Sequence, residues 1–256
     1  MNKTVFGLNI NYIDKGEGDP IVLLHGWGSN ISLFGSMTEL LSKKYRVIAM
    51  DMPGFGGSDE PKGIWDVDGY TDFVIEFLKD YGFKKVIFLG HSFGGRVIIK
   101  MFERENLPFE IDRLILTGSA GVVPKKTPKQ IRRQKIYKMT RKIYSSKLVT
   151  KLFPDALEKL RRKNGSADYN AASPTMRQIL VKVVNEDLVH IFPKVTPSTL
   201  LVWGRNDTAT PLADGQLMEK LMPNSALVVL DNSGHYAFLD EMFAFNKILA
   251  SFMNID

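Results

Sequence analysis

The chain contains no cysteine, which excludes disulfides, thiolate nucleophiles and cysteine-bound metals at once. It has no apolar run approaching the roughly 18 residues that a membrane-spanning helix needs. Residues 1–20 carry no basic-then-apolar signal region, so a cytoplasmic location is the default expectation. Neither a Gly-x-x-x-x-Gly-Lys-Ser/Thr segment nor a Gly-x-Gly-x-x-Gly elbow is present, which argues against a phosphate-cradling loop. The basic residues are not interleaved with an aromatic stacking platform, so nucleic acid is not an expected partner. Histidine is scarce as well. His25, His91, His190 and His235 are the whole supply.

What is present suffices for one large domain, or for a domain with an insertion. The 256 residues are 44% hydrophobic and 24% charged, ordinary values for a soluble globular protein able to bury a core without staples. The net charge of +6 is unevenly divided: residues 122–195 hold 18 Lys and Arg against 5 Asp and Glu. The rest of the chain is acidic. A basic block is therefore inserted in an acidic body.

Residues 3–13 alternate loosely and suggest an opening strand pair. Short continuous apolar runs then recur at Ile21–Leu24, Arg46–Met50, Val86–Leu89, Arg113–Thr117, Thr199–Trp203 and Ala226–Leu230, typical of strands buried on both faces. Helical spacing separates them at 33–44, 70–81, 96–105, 211–221 and 238–253. This alternation predicts βαβ units and an α/β fold with a mostly parallel sheet. Ligands in such sheets sit beyond the carboxyl ends of the strands, which is where the Gly-rich segments fall. Residues 122–195 break the alternation with helical stretches at 128–144, 145–153, 155–163 and 174–190, punctuated by Pro124, Pro128, Pro154, Pro174 and Pro193. They read as a helical cap, or lid, between two core segments, 1–121 and 196–256.

One segment carries chemistry. The apolar run Val86–Leu89 ends abruptly in Gly90-His91-Ser92-Phe93-Gly94-Gly95, and helix-compatible residues follow. A buried strand, a tight turn with Ser92 at its apex and a helix behind it describe a nucleophile elbow. A serine hydroxyl needs a neighbouring base. His190 sits in a helical stretch without metal-ligand partners, and His25 and His91 lie inside tight glycine turns, where they hold loop shape. His235 follows the last strand in a Gly-containing loop and is the expected base. Its acceptor is Asp207, after the Thr199–Trp203 strand, although a capping role for that residue is the alternative. Asp51, on a Pro-Gly turn, is better explained by backbone hydrogen bonds. The order Ser92, Asp207, His235 matches the elbow type. The backbone N–H groups of Phe93 and Trp27 are the expected oxyanion donors.

Together these pieces resemble the α/β-hydrolase fold superfamily from end to end. The resemblance rests on His25-Gly26-Trp27-Gly28, Asp51-x-Pro-Gly-Phe-Gly-x-Ser58, the Ser92 elbow, Gly204-x-x-Asp207 and Gly234-His235. It implies an eight-stranded, mostly parallel sheet, a helical cap between strands six and seven, and a Ser-Asp-His triad, with no metal or organic cofactor. Dehalogenases and epoxide hydrolases of this fold use an aspartate where Ser92 stands. Meta-cleavage-product hydrolases usually carry asparagine before the serine, where this chain has His91.

The expected activity is therefore hydrolysis of a carboxylic ester or related small acyl substrate. The alternative is a carbon–carbon hydrolase or lyase acting on a keto-acid, and from another class a non-catalytic ligand receptor. In the cap, Arg177 is a candidate carboxylate anchor, or a structural pair for Glu186 or another acid. Met176, Phe153 and Tyr169 are candidate linings of an acyl pocket. Monomer and dimer are equally compatible with the sequence.

Overall fold

The structure, a computed structural model, describes residues 1–123 and 127–256. Pro124 lies outside the described residues. The chain opens with β1 (Asn2–Val5), β2 (Leu8–Lys15) and β3 (Pro20–Leu24), then α1 (Gly35–Leu41), β4 (Arg46–Met50), α2 (Val67–Lys79) and β5 (Lys85–His91). After α3 (Phe93–Lys100) and β6 (Glu110–Thr117) come five helices: α4 (Pro128–Tyr144), α5 (Lys147–Leu152), α6 (Ala156–Asn164), α7 (Ala167–Ala171) and α8 (Pro174–Val183). The alternation resumes with β7 (Ser198–Gly204), α9 (Leu212–Leu221) and β8 (Ser225–Leu230), and ends in α10 (Ala237–Asp240) and α11 (Met242–Met253).

The eight strands form one sheet in the order β1-β2-β4-β3-β5-β6-β7-β8. β1, β2 and β4 pair antiparallel, and every pairing from β4 through β3 to β8 is parallel. The period-two alternation along each apolar run divides the core between the two faces. Val22, Leu24, Phe88, Leu116 and Trp203 point to one side, in the core that contains residues of α2, α3 and α9. Ile21, Leu23, Leu89, Ile115 and Val202 point to the other, in the core shared with α1 and α11. The parallel strands therefore all finish at one edge.

The helix expected over 96–105 starts at Phe93 and gives way to a 3-10 turn at Met101–Glu103, and three others differ from their sequence pattern for an identifiable local reason. The helix expected over 174–190 stops at Val183, because the Asp187 carboxylate accepts the N–H groups of Val189 and Val123 and draws the chain into a turn. His190 then sits on a short 3-10 turn with its Nε2 2.7 Å from Glu103 Oε1, a structural role. The helix expected over 238–253 is broken at Glu241, whose carboxylate accepts from Asn232 N–H and Ser233 Oγ in the loop before His235. The 33–44 stretch begins as a 3-10 turn capped by Asn30. Helix α7 has no apolar stripe to announce it, and is started by Ser166, whose hydroxyl accepts the Tyr169 N–H.

Candidate active site

Loops following β3, β5, β7 and β8 converge on one cavity of about 360 Å³, whose lining includes Trp27, Ser92, Phe93, Thr210 and His235. Ser92 is one of three non-glycine residues with positive φ among the described residues, at φ 51 and ψ −111. That strain persists only where the surroundings over-determine it. They do so here. A Cβ on Gly94 would come within 2.0 Å of the Leu24 carbonyl oxygen, and one on Gly90 within 2.6 Å of Gly95 N. Helix α3 thus lies too close to β3 for a side chain at Gly94 and too close to β5 for one at Gly90, and the turn between β5 and α3 is forced up at Ser92.

His235 and Asp207 are brought together. The Nδ1 of His235 lies 2.8 Å from Asp207 Oδ2, and the Asp207 side chain is fully buried. The other carboxylate oxygen accepts the N–H groups of Ala209 and Thr210 at 2.8 and 2.9 Å. Burial pushes the Asp207 carboxyl upward, but the hydrogen bonds with His235 and the Thr210 N–H outweigh it and hold the group below the usual carboxylate range. Asp207 is not the cap of α9, a place taken by Pro211. Thr210, which no sequence pattern singles out, sets its Oγ1 2.8 Å from Asp207 Oδ2, 2.9 Å from the Gly118 carbonyl and 3.3 Å from His235 Nδ1.

The Trp27 and Phe93 N–H groups have no acceptor among the described residues, and both residues line the Ser92 cavity. Their rings meet edge to face, with centroids 5.5 Å apart. The loop carrying Trp27 is locked by His25, whose Nδ1–H donates to the Gly26 carbonyl at 2.7 Å while Nε2 accepts the Met52 N–H at 2.9 Å. Asp51 is spent on its own turn, accepting from Ile31 N–H, Gly57 N–H and Asn11 Nδ2.

Further ionisable residues line the cavity, among them Asp168, Arg96 and Asp214. Arg96, one turn beyond Ser92, donates from Nη1 to the carbonyls of Val183 and Glu186 and ties α3 to the end of α8. Burial lowers its pKa to about 10. Asp214, in the first turn of α9, is raised to about 6, first by burial and then by the charge of Asp207.

The residues expected to bind substrate from the inserted helices do not line this cavity. Arg177 is used structurally: Nη1 meets Glu158 Oε1 at 2.8 Å, and Nε and Nη2 donate to the carbonyls of Tyr169 and Asn170. Its acid is Glu158, not Glu186, which instead pairs with Lys100 at 2.9 Å. Phe153 is 63% exposed. Met176 is buried against Gly54 and lines a neighbouring cavity that also reaches Trp27. Tyr169 lies under the Arg177 guanidinium and faces a different cavity. Phe153 and Tyr169 lie in polar segments with no apolar stripe to say which face turns inward, whereas α8 has one at Met176, Ile179, Leu180 and Val183, which sets Met176 in the core and leaves Arg177 to pair with Glu158.

Comparisons with known proteins agree with this architecture. The AB hydrolase superfamily protein YisY of Bacillus subtilis (strain 168) is 30% identical over 252 residues, covering 94% of each chain. The 2-hydroxy-6-oxononadienedioate/2-hydroxy-6-oxononatrienedioate hydrolase 1 of Pseudomonas putida is 28% identical, covering 96% of this chain and 92% of its own. The crystallised esterase EaEST from Exiguobacterium antarcticum superposes with a TM-score of 0.74 at 26% identity, over 99% of this chain and 98% of its own. Residues 19–242 match the family described as the alpha/beta hydrolase fold, and the chain belongs to that family of hydrolases.

Proposed function

We propose that this hydrolase cleaves carboxylic esters or related acyl compounds through an acyl-enzyme on Ser92. The observation that carries the reading is the strained Ser92 in the same cavity as His235, an imidazole whose Nδ1 is held 2.8 Å from a buried carboxylate. With Nδ1–H donated to Asp207, Nε2 is the basic nitrogen left to face the cavity. Ser92 Oγ attacks the acyl carbon as its proton passes to His235 Nε2. The carbonyl oxygen takes the negative charge between the Trp27 and Phe93 N–H groups, each contributing roughly 3 kcal/mol. His235 returns the proton to the leaving alcohol, and Asp207 stabilises the imidazolium in between. Water, deprotonated by the same nitrogen, then releases the acid. The helices of residues 122–195 act as the cap of a core formed by 1–121 and 196–256, since Leu180 and Val183 of α8 form one wall of the cavity.

Ser92→Ala should abolish turnover of a short p-nitrophenyl ester and labelling by a fluorophosphonate. Full turnover in that variant sinks the reading, and failure of the native protein to label at Ser92 moves it to a binding scaffold. A second reading, carbon–carbon hydrolysis of a keto-acid, is supported by the Pseudomonas putida relative at 28% identity. The cation beside Ser92 would then be Arg96, because Arg177 is engaged elsewhere. A dienoate-type keto-acid cleaved in preference to every ester would favour it.

A further inference from the structure

A larger cavity, about 560 Å³, lies beneath α4, between it and α6, α7 and α8. Its floor is apolar and aromatic, built from Tyr137, Tyr169, Leu180, Val181 and Val184. Arg133, Lys138 and Arg141 of α4 and Arg161 of α6 stand around it, with Asp168 as the lone carboxylate in the lining. Among the described residues Arg133, Lys138 and Arg141 have no ion-pair partner, and Arg161 reaches Glu158 only at 4.0 Å. Several cations of the core are matched, Arg46 with Asp14, Arg104 with Asp68 and Asp72, Lys100 with Glu103, and what sets the chamber apart is that its four cations gather around one apolar floor. Helix α4 carries seven basic residues and no acid, and like charges three and four residues apart disfavour a helix. Leu180, Val184 and Asp168 line both this chamber and the Ser92 cavity, so the two spaces share a wall that is apolar along α8.

We propose that this chamber binds the anionic end of the substrate, a carboxylate or phosphate carried on an apolar spacer whose acyl carbon lies at Ser92. The proposal rests on the ester-hydrolase reading for the position of the reacting bond, and on the chamber's own geometry for the charge. Guanidinium forks pair bidentately with carboxylate and phosphate, and long basic side chains keep their stems on apolar surface while their heads meet the anion. A neutral acyl chain would leave three unpaired cations facing it.

Binding of octanoate, octyl phosphate and octanol to the Ser92→Ala protein, measured by calorimetry, separates charge from chain. At least one anion should bind about tenfold more tightly than the alcohol, the scale of one net charge-assisted hydrogen bond, and the tighter anion names the headgroup. The preference should vanish in the Arg133→Gln/Arg141→Gln/Arg161→Gln variant and persist in Lys135→Gln, on α4 but outside the chamber. Equal binding of alcohol and anions overturns the proposal, as does an equal loss in Lys135→Gln, which would make the effect a diffuse surface field. In the native enzyme, the ratio of kcat/KM for the p-nitrophenyl half-ester of octanedioic acid over p-nitrophenyl octanoate should follow the same variants. If no ester is cleaved yet the anion preference persists and needs the arginines, the chamber stands and the ester reading falls.

Discussion

The Nε2–H of His91 donates to the main-chain carbonyl of His235 at 3.0 Å, so the residue preceding Ser92 holds the loop that carries the proposed base. The two rings lie 4.8 Å apart between centroids. Burial first, then the neighbouring His235, pushes His91 down to about 3, which keeps it neutral and its Nε2–H available as a donor. His91→Phe keeps the ring volume and removes the donor. Its kcat on an ester should fall by about 10- to 100-fold with KM little changed, since a displaced base is felt in the chemical step. An unchanged kcat with a lowered melting temperature would leave His91 a packing residue only.

His25 and His91 together make the fold acid-sensitive. An imidazole in open water titrates near 6.5, and burial lowers His25 to about 4 and His91 to about 3 in the folded protein. Below about 6.5 the unfolded chain therefore binds more protons than the folded one. The stability contributed by keeping the rings neutral is complete above that pH and is lost as pH falls through the folded values. Full loss is on the order of 3 kcal/mol for His25 alone. Urea midpoints measured at about pH 7.5 and about pH 4.5 should differ accordingly. A midpoint that stays flat across that interval would show that these rings are not held neutral.

The framework of the site is legible in the sequence because it is written in two local patterns. Continuous apolar runs such as Ile21–Leu24 read as two-sided strands, and the residues that follow each run, among them Ser92, Asp207 and His235, lie at the sheet edge whatever the helices do. Among the inserted helices only α8 carries a regular apolar stripe. In α4 cations occur on every side, so nothing in the sequence says that Arg133 and Arg141 turn toward a cavity. Thr210 is unmarked because a lone hydroxyl in a loop has no spacing to betray it. Arg96 falls in a stretch that reads only as helix-compatible, and it is 4% exposed, its charge met by carbonyls contributed from a segment 87 and 90 residues away.

Arg96 links the elbow helix to the end of α8, which gives the inserted segment an anchor beside Ser92. Arg96→Met fills much of the space and removes the donors, leaving the buried carbonyls of Val183 and Glu186 without their partner. The cost should be about 1–3 kcal/mol per carbonyl that water does not reach. Hydrogen exchange resolved by segment is the sensitive readout: amides of α8 should exchange faster in the variant, while those of β5 and β7 keep their protection. Equal acceleration throughout the chain would mean that Arg96 supports the whole fold and not this junction.

Asp214 titrates in the opposite sense to the two histidines and allows the electrostatics of the cavity to be tested separately. The first turn of a helix ordinarily favours a negative charge, yet burial and then the nearby Asp207 raise this carboxyl from 3.8 to about 6. Between those values the folded state binds more protons than the unfolded one, so stability from this group is present at low pH and declines as pH rises through about 6. Asp214→Asn removes the charge at nearly constant shape. Because roughly half of the group meets solvent, screening reduces the expected gain to about 1 kcal/mol near pH 8. No gain is expected below the unfolded value, where both states are already protonated. Melting temperatures of the variant and the native protein should therefore coincide below about pH 3.8, draw apart as pH rises to about 6 and keep that separation above it. Parallel curves across the whole range would place Asp214 in open water, and destabilisation at pH 8 would mean that its negative charge is matched by a cation in the folded protein.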